Sequence, residues 1–224
     1  ILAGDALQSL AFEILSKKLH SEIPSKIYLN WVNYLSSSIG LNGVAGGQYL
    51  DLSINGKNAQ INKLKKIYDL KTAHLIKPCI MLPLMLSDNN DESSYRDFLS
   101  FGELLGISFQ IKDDLFDYGK KKIGKPRGID IREKKLTLPL IHSINKSDKT
   151  KKRWLISSIK KNSKDKKVVN QIIDYVKQTG GLDYSIKKMN EYHKKALDIL
   201  EKFPKNKYND ALKEMIDYVI ERDY

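Results

Sequence analysis

The sequence predicts an all-α fold, built as one domain over residues 1–224. Apolar side chains recur every three to four residues through most of the chain, which is the spacing of one face of a helix. Glycine, proline and asparagine interrupt these stretches, and no segment shows the alternation of a half-buried strand. We predict two helices near the amino terminus, around Leu2 to Leu15 and Trp31 to Val44, and others over 62–86, 93–118, 137–145, 151–161, 166–179, 183–202 and 208–222.

The composition is that of a soluble protein, with 41% hydrophobic and 29% charged residues. The longest apolar run, residues 79–86, is interrupted by Pro83 and is too short to span a bilayer. Cys79 is the single cysteine, so no intrachain disulfide can form, and the four histidines do not have zinc-ligand spacing. No secretory signal is recognised, and we expect a cytoplasmic protein with no membrane span.

The net charge of +12 raises the question of a polyanionic partner. The 39 Lys and Arg residues are spread over the whole chain and most are Lys, so a generally lysine-rich composition explains the charge about as well. RNA-binding sheets stack bases on aromatic side chains, and no strand with interleaved aromatics and Arg is predicted. We therefore expect no nucleic-acid partner. A basic helical nucleic-acid binder is the alternative, and it requires a steep salt dependence of binding.

A cluster of aspartates marks the helix predicted over 93–118. At about 100° per residue, Asp113, Asp114 and Asp117 share a face with Gln110. Neighbouring carboxylates repel unless a cation lies between them, and Asp is a poor helix former. Oxygen ligands in an open cluster suit Mg²⁺, which usually binds through a few carboxylates and substrate phosphates. A solvated acidic face on an amphipathic helix is the alternative. The other side of the helix is apolar, with Phe98, Phe101, Leu105, Phe109 and Phe116.

A loop rich in lysine and glycine follows the aspartates. Its basic residues are Lys120, Lys121, Lys122, Lys125 and Arg127, among Gly119, Gly124 and Gly128. Glycines let backbone N–H groups turn toward an anion, although the spacing is not that of a Walker P-loop. Solvated lysines are the ordinary interpretation. Beside an aspartate cluster, the loop is predicted to clamp a metal-bound diphosphate.

Six blocks of sequence, in this order, resemble the trans-isoprenyl diphosphate synthase family, which makes farnesyl, geranylgeranyl and longer prenyl diphosphates. The blocks span essentially the whole chain, and together they point to this family far more specifically than any one block does. The blocks are LAGDAL (2–7), GVAGGQYLDL (43–52), LKTAHLI (70–76), FQIKDDLFD (109–117), GKPRGIDIREKKLTLPL (124–140) and MIDYVIERDY (215–224).

The resemblance implies an isoprenoid synthase-type bundle of long antiparallel helices around a central cavity, and a homodimer. Mg²⁺ ions, with Mn²⁺ as the alternative metal, would chelate the diphosphate of an allylic substrate and help it to leave. Isopentenyl diphosphate would then attack the allylic carbocation. Residues 43–52 favour a farnesyl or geranylgeranyl product, whereas residues 124–140 also occur in medium- and long-chain enzymes. A short-chain product is the expectation, and a longer chain is the alternative.

The resemblance also assigns roles to individual residues. The metal ligands would be Asp113, Asp114 and Asp117, and the residues that act on the allylic diphosphate would be Lys71, Thr72, Gln110 and Lys125. Gln48 would line the reaction site and Lys135 would lie close to the diphosphates. The ordinary alternatives are a surface lysine at 71, a helix-capping threonine at 72 and a glutamine at 48 that satisfies buried backbone. Structural or core roles are expected for Asp5, Asp51, Asp130, His74, Tyr68, Phe101 and Phe109.

The chain departs from the family pattern at its amino-terminal side. The family's first aspartate-rich motif and its upstream Gly-Lys-Arg-x-Arg-Pro block precede the position of Ile1 and have no counterpart in the sequence. We expect the amino-terminal part of the family domain to be missing from these residues. A non-catalytic partner subunit of a synthase is therefore an alternative. A class I terpene cyclase is another, although the tandem Asp113-Asp114 with Asp117 argues against it.

Overall fold

The computed structural model describes residues 1–17, 21–53, 60–87, 91–119 and 127–223. Every regular element in these ranges is helical, which confirms the all-α prediction there. A π-helical turn, Asp69–Ala73, joins the fourth and fifth α-helices without a break. The α-helices are α1 Leu2–Ser16, α2 Ser25–Ile39, α3 Val44–Ser53, α4 Ile61–Tyr68, α5 His74–Leu84, α6 Glu92–Phe116, α7 Ile129–Arg132, α8 Leu138–Lys146, α9 Lys149–Asn162, α10 Lys166–Gln178, α11 Gly181–Leu200 and α12 Lys207–Glu221.

Three predicted boundaries need correction. The helix expected through Trp31 and Val44 is wrong, because α2 ends at Ile39, Gly40 leaves the helical region with φ −74° and ψ −159°, and α3 begins at Val44. The single helix expected over 62–86 contains the π-helical turn in its middle. The short helix α7 was not predicted, and it follows Gly128, whose φ of 75° favours glycine.

Helix α6 lies between the two apolar clusters of the described residues. Ile107 and Ile111 of α6 pack in the larger cluster with buried side chains of α8, α9, α10 and α11. Phe101 and Leu105 pack in the second cluster with α11 and α12. Asp91 caps the start of the helix, since its side chain accepts hydrogen bonds from the backbone N–H groups of the second and third residues that follow it. Burial on both sides fixes the rotation of α6, and therefore the direction of its polar side chains.

Two glycines allow the π-helical turn to approach its neighbours closely. A Cβ added to Gly106 of α6 would lie 2.4 Å from the Cα of Ala73, and one added to Gly47 of α3 would lie 2.4 Å from the backbone nitrogen of Lys71. Real side chains do not tolerate such distances, so only glycine fits at either position. The turn is therefore held tightly between α3 and α6.

Across the described ranges, we find no helix with both the length and the apolar character needed to traverse a bilayer.

We expect Gly106→Ala to destabilise the protein by about 1–3 kcal/mol, because the added methyl group overlaps backbone atoms of the π-helical turn. Gly4→Ala is the control, since nothing lies within 4 Å of an added Cβ there, and Ala in a helix is more favourable than Gly by about 1 kcal/mol. Urea unfolding of the two variants measures the difference. Equal unfolding free energies would contradict the close approach.

Candidate active site

A cavity of about 50 Å³ lies where α3, α4, the π-helical turn, α6 and the segment from α7 to α8 meet. We call it the central cavity. Its walls combine carboxylates, lysines and amide groups with apolar side chains. The lining residues are Asp51, Leu64, Ile67, Tyr68, Lys71, Gln110, Asp114, Asp130, Lys135, Leu136 and Thr137.

The π-helical turn contributes one wall of the central cavity. Lys71 lines the cavity, and its Nζ lies 2.6 Å from Oδ2 of Asp51 on α3. The next residue, Thr72, donates a hydrogen bond of 2.8 Å to Oε1 of Gln110 on α6. The amide Nε2 of Gln110 lies 3.4 Å from Oδ1 of Asp114. A chain of hydrogen bonds therefore connects the turn to the carboxylates of α6.

An ion pair anchors the same turn. Nζ of Lys77, a side chain that is buried in α5, lies 2.5 Å from Oδ1 of Asp69 at the start of the turn. Nδ1 of His74 lies 3.0 Å from the carbonyl oxygen of Asp69. Burial favours the neutral form of Asp69, but the hydrogen bonds from His74 and Lys77 outweigh it and lower the pKa of this carboxyl. These contacts hold the turn that orients Lys71 and Thr72.

Asp114 is buried at the centre of the site. The hydroxyl of Tyr68 on α4 and the backbone N–H of Leu138 at the start of α8 both donate to its Oδ2, the latter at 3.0 Å. Burial raises the pKa of Asp114 to about 7, although these hydrogen bonds act in the opposite direction. Burial also raises the pKa of Tyr68 well above its usual value, with the neighbouring carboxylate adding to the effect.

Asp117 lies next to Asp130, and both carboxyl groups are largely buried. Oδ1 of Asp117 accepts a hydrogen bond of 3.3 Å from the backbone N–H of Asp130, while its Oδ2 is buried with no partner among the described residues. Burial, and then the charge of Asp130, raise the pKa of Asp117 to about 6. Burial likewise raises the pKa of Asp130, although Nζ of Lys135 lies 3.5 Å from its Oδ1. Lys135 also contacts Glu133 at 2.6 Å.

Asp113 points away from the other two aspartates. Its Oδ1 forms an ion pair with Arg222, the residue that follows α12. The guanidinium of Arg222 also donates to the carbonyl oxygen of Phe109 at 3.1 Å, and its central carbon lies 3.9 Å from the centroid of the Phe109 ring. In projection, Asp113 lies at the edge of the predicted stripe, next to the phenylalanines of α6. It therefore contacts the end of α12 instead of the central cavity.

The structure brings together most, but not all, of the residues that the sequence nominates. Four of them line the central cavity, namely Lys71, Gln110, Asp114 and Lys135. Two more adjoin it through hydrogen bonds to lining residues: Thr72 bonds to Gln110, and Asp117 bonds to Asp130. Gln48 is exposed on α3 and does not line the cavity. Lys125 and the lysines at 120–122 lie outside the described residues.

Sequence reasoning overlooked four residues of the site. Asp51, Asp130 and Tyr68 line the central cavity, where the sequence suggested only structural or core roles; Tyr68 is also buried in the larger apolar cluster, as expected. Arg222 was visible only as one letter of the block at 215–224, and nothing in the sequence shows that it contacts Asp113. The available signal was the occurrence of Asp51, Asp130 and Arg222 within the blocks of sequence that resemble the family.

The carboxylates of the site fit a hard divalent cation in part. Within the described ranges, no group of three His, Cys, Asp or Glu side chains is arranged to hold a metal ion. The Oδ2 of Asp117, however, is a buried oxygen that has no hydrogen-bond partner among the described residues, whereas such atoms normally have one. Asp114 and Asp130 line the neighbouring central cavity and are further oxygen donors, which suit Mg²⁺.

Comparison with known proteins defines the class to which this helical fold and site belong. The profile of the family described as polyprenyl synthetase matches residues 1–176. The chain belongs to this family, that of the trans-isoprenyl diphosphate synthases.

Individual relatives agree with this assignment. The chain is 30% identical to the farnesyl diphosphate synthase of Escherichia coli (strain K12) over 186 residues, which cover 80% of this chain and 62% of that protein. It therefore spans less than two thirds of that relative's length. The structure resembles the geranylgeranyl pyrophosphate synthetase of Pyrococcus horikoshii, with a TM-score of 0.82, 29% identity, and coverage of 100% of this chain and 67% of the other. It also resembles a polyprenyl synthase of Caulobacter crescentus complexed with calcium and isoprenyl diphosphate, with a TM-score of 0.79, 25% identity, and coverage of 100% and 66%.

We expect the free energy of unfolding of the wild type to fall, relative to that of Asp117→Asn, as the pH rises from about 4 to above 6. The measurement is made in the presence of EDTA. The pKa of Asp117 is raised to about 6 in the folded protein, against 3.8 for an aspartate in water. The folded state therefore binds the extra proton in this window, and its stabilising effect is lost as the carboxyl ionises. Asn cannot titrate, yet its carbonyl oxygen can still accept the hydrogen bond from the backbone N–H of Asp130.

Each unit of pKa difference corresponds to about 1.4 kcal/mol, so we expect a change of the order of 1–3 kcal/mol between the ends of the window. Urea unfolding at several pH values measures it. Parallel pH profiles for the wild type and the variant would show that Asp117 does not have the raised pKa.

Proposed function

We propose that the protein is a trans-prenyltransferase that condenses isopentenyl diphosphate with an allylic diphosphate, namely dimethylallyl, geranyl or farnesyl diphosphate. The product would be a trans-prenyl diphosphate. Membership of the polyprenyl synthetase family and similarity to farnesyl and geranylgeranyl diphosphate synthases support the proposal. The observation that carries it is the convergence of lysines, a Thr–Gln pair and buried carboxylates on one cavity.

In this proposal, Lys71 and Lys135 bind the diphosphate through their ammonium groups. Both line the central cavity and both already contact carboxylates, Lys71 at Asp51 and Lys135 at Glu133. Diphosphate oxygens would compete for the same ammonium protons. The hydrogen bond from Thr72 to Gln110 fixes the amide beside them. Lys125 is proposed as a further contact, and Gln48 as a residue near the reaction site, from the family resemblance alone.

The apolar part of the wall would exclude water from the reacting carbons. Leu64 and Ile67 of α4 are buried and line the cavity, and Leu136 adds to this apolar surface. A low-dielectric wall strengthens the electrostatic interactions inside the site and protects a carbocation from capture by water.

We propose Mg²⁺ as the metal, with Mn²⁺ as the alternative. Asp117 and Asp114 would hold it, because the Oδ2 of Asp117 has no partner among the described residues. Asp113, which the resemblance also nominates, is paired with Arg222, so its use as a ligand requires this ion pair to open. A bound divalent cation neutralises the charge that develops on a departing diphosphate. The calcium in the related Caulobacter crescentus complex supports the use of a divalent cation.

A short-chain product, farnesyl or geranylgeranyl diphosphate, is favoured because relatives with these names match the chain. A longer polyprenyl diphosphate is the alternative. We further propose that residues 1–224 form one polyprenyl synthase-like domain, and that the protein is cytoplasmic. The free and exposed thiol of Cys79 supports a reducing compartment.

We propose a homodimer from the family resemblance, with the exposed apolar side chains of α1 as its candidate interface. This helix has no buried residue, and its apolar side chains at Leu2, Leu7, Leu10 and Ile14 are all exposed. Apolar surface of this extent in one place commonly marks an interface. The proposed partner is a second copy of the chain.

We expect Leu7→Lys to convert the dimer into a monomer, because a lysine on α1 would have to be buried at the interface without a partner. Light scattering after gel filtration of the full natural protein measures the mass. Ile186→Lys, on an exposed position of α11, is the control and should leave the mass unchanged. A wild-type monomer would rule out the homodimer.

We expect Lys71→Met and Asp117→Ala in the full natural protein to lower the rate of prenyl transfer by at least about 100-fold, because each removes charge from the diphosphate and metal site. The assay combines isopentenyl diphosphate, geranyl diphosphate and Mg²⁺, and mass spectrometry identifies the product and its length. Lys202→Met is the matched control, since Lys202 forms an ion pair of 2.7 Å with Asp97 on the exposed surface. Wild-type rates in the two site variants would refute the proposed site.

A non-catalytic partner subunit is the second candidate function, and the pairing of Asp113 with Arg222 favours it because that carboxylate is already neutralised. Such a subunit would be inactive alone in the same assay and would change the rate or the product of an active synthase that it binds. Activity of the isolated protein would eliminate this candidate.

A further inference from the structure

More than half of the net positive charge lies in one segment, which comprises α9 with its preceding cap, the turn to α10 and the first two residues of α10. Residues 148–167, which we call the basic hairpin, contain nine Lys or Arg and two Asp, an excess of seven out of the net +12 of the whole chain. Basic residues do occur along the whole chain, as expected, but acidic residues are few in this segment. A lysine-rich composition does not explain why this segment carries more than half of the excess.

The positive charge of the basic hairpin is exposed and uncompensated. All nine basic residues are exposed, and none forms an ion pair within the part of the chain that the structure describes. The two acids serve as helix caps, since Asp148 accepts from the backbone N–H of Lys151 and Asp165 from that of Lys167, each at 2.8 Å. Elsewhere on the surface, lysines such as Lys213 do pair with carboxylates. Like charges at this density repel, so the arrangement disfavours folding unless an anionic partner balances it.

An aromatic pair lies at one edge of the basic hairpin. The rings of Trp154 and Tyr175 meet edge to face at 6.2 Å, and both side chains are half-buried. Nζ of Lys151 lies 4.8 Å from the Trp154 centroid and 5.3 Å from that of Tyr175. Trp and Tyr beside Lys are typical of surfaces that meet lipid headgroups. Stacked nucleic-acid bases would need the ring faces that Lys151 already covers.

We propose that the basic hairpin is a docking surface for the anionic face of a lipid bilayer. No large apolar side chain of residues 148–167 is exposed, so attachment would be electrostatic, peripheral and sensitive to salt, without insertion into the hydrocarbon region. The docking does not depend on the proposed enzymatic activity. If that activity is correct, docking would place the release of an amphiphilic product next to the bilayer that accepts its prenyl tail.

The test is co-sedimentation of the full natural protein with phosphatidylcholine vesicles that contain or lack phosphatidylglycerol, without substrates or divalent cations. The patch variant replaces four hairpin residues by Gln, and the control variant makes the same change in net charge elsewhere. The patch variant is Arg153→Gln, Lys160→Gln, Lys161→Gln and Lys164→Gln, and the control variant is Lys187→Gln, Lys194→Gln, Lys195→Gln and Lys205→Gln; all eight side chains are exposed.

We expect the wild type and the control variant to bind only the anionic vesicles, and binding to weaken as salt is raised. The patch variant should bind at least about tenfold more weakly. Absence of wild-type binding, or equal losses in both variants, would overturn the proposal. The proposal would also be overturned if duplex DNA displaced the protein from the vesicles at concentrations far below that of the anionic lipid. That result would assign the surface to nucleic acid.

Discussion

The arrangement of the site depends on the burial of one carboxyl group, that of Asp114. A charge removed from water is unfavourable unless hydrogen bonds compensate for it. Asp114 obtains them from the hydroxyl of Tyr68 on α4 and the backbone N–H of Leu138 at the start of α8. Since these donors belong to different helices, satisfying the one carboxyl positions α4 and α8 relative to α6. The central cavity lies between them, and its dimensions follow from the same contacts.

The rotation of α6 decides what each of its aspartates can do. The apolar clusters on either side, with Ile107 in one and Phe101 in the other, leave the helix no freedom to turn. Asp114 therefore faces the cavity, and Asp113, one residue earlier, faces Arg222. Two adjacent carboxylates thus have different electrostatic environments, one short of positive charge and one already neutralised by a guanidinium. Asp113 and Asp114 are adjacent in the sequence, but they contact different parts of the structure.

Features of the structure that depend on interactions between residues close in the sequence were mostly predicted, and those that depend on contacts between distant residues were not. Helical periodicity and turn residues act locally, so the sequence predicted the all-α fold and the helix that carries Asp114. The π-helical turn was missed because apolar spacing of three to four residues does not distinguish five π-helical residues from the α-helices on either side of them. The pairing of Asp113 with Arg222 was missed because a helical projection gives an angle but not the neighbouring element. The placement of Lys125 and Gln48 in the site remains a prediction from resemblance.

The balance of charge around the central cavity determines how an anion could bind there. Four carboxylates, those of Asp51, Asp114, Asp117 and Asp130, lie in or beside the cavity, against two lysines, Lys71 and Lys135. Each lysine already contacts a carboxylate, so the described residues offer a diphosphate little net positive charge. A divalent cation held by these carboxylates would offset their excess of negative charge. As far as the described residues determine it, we therefore expect a diphosphate to bind in the cavity more tightly with the cation than without it.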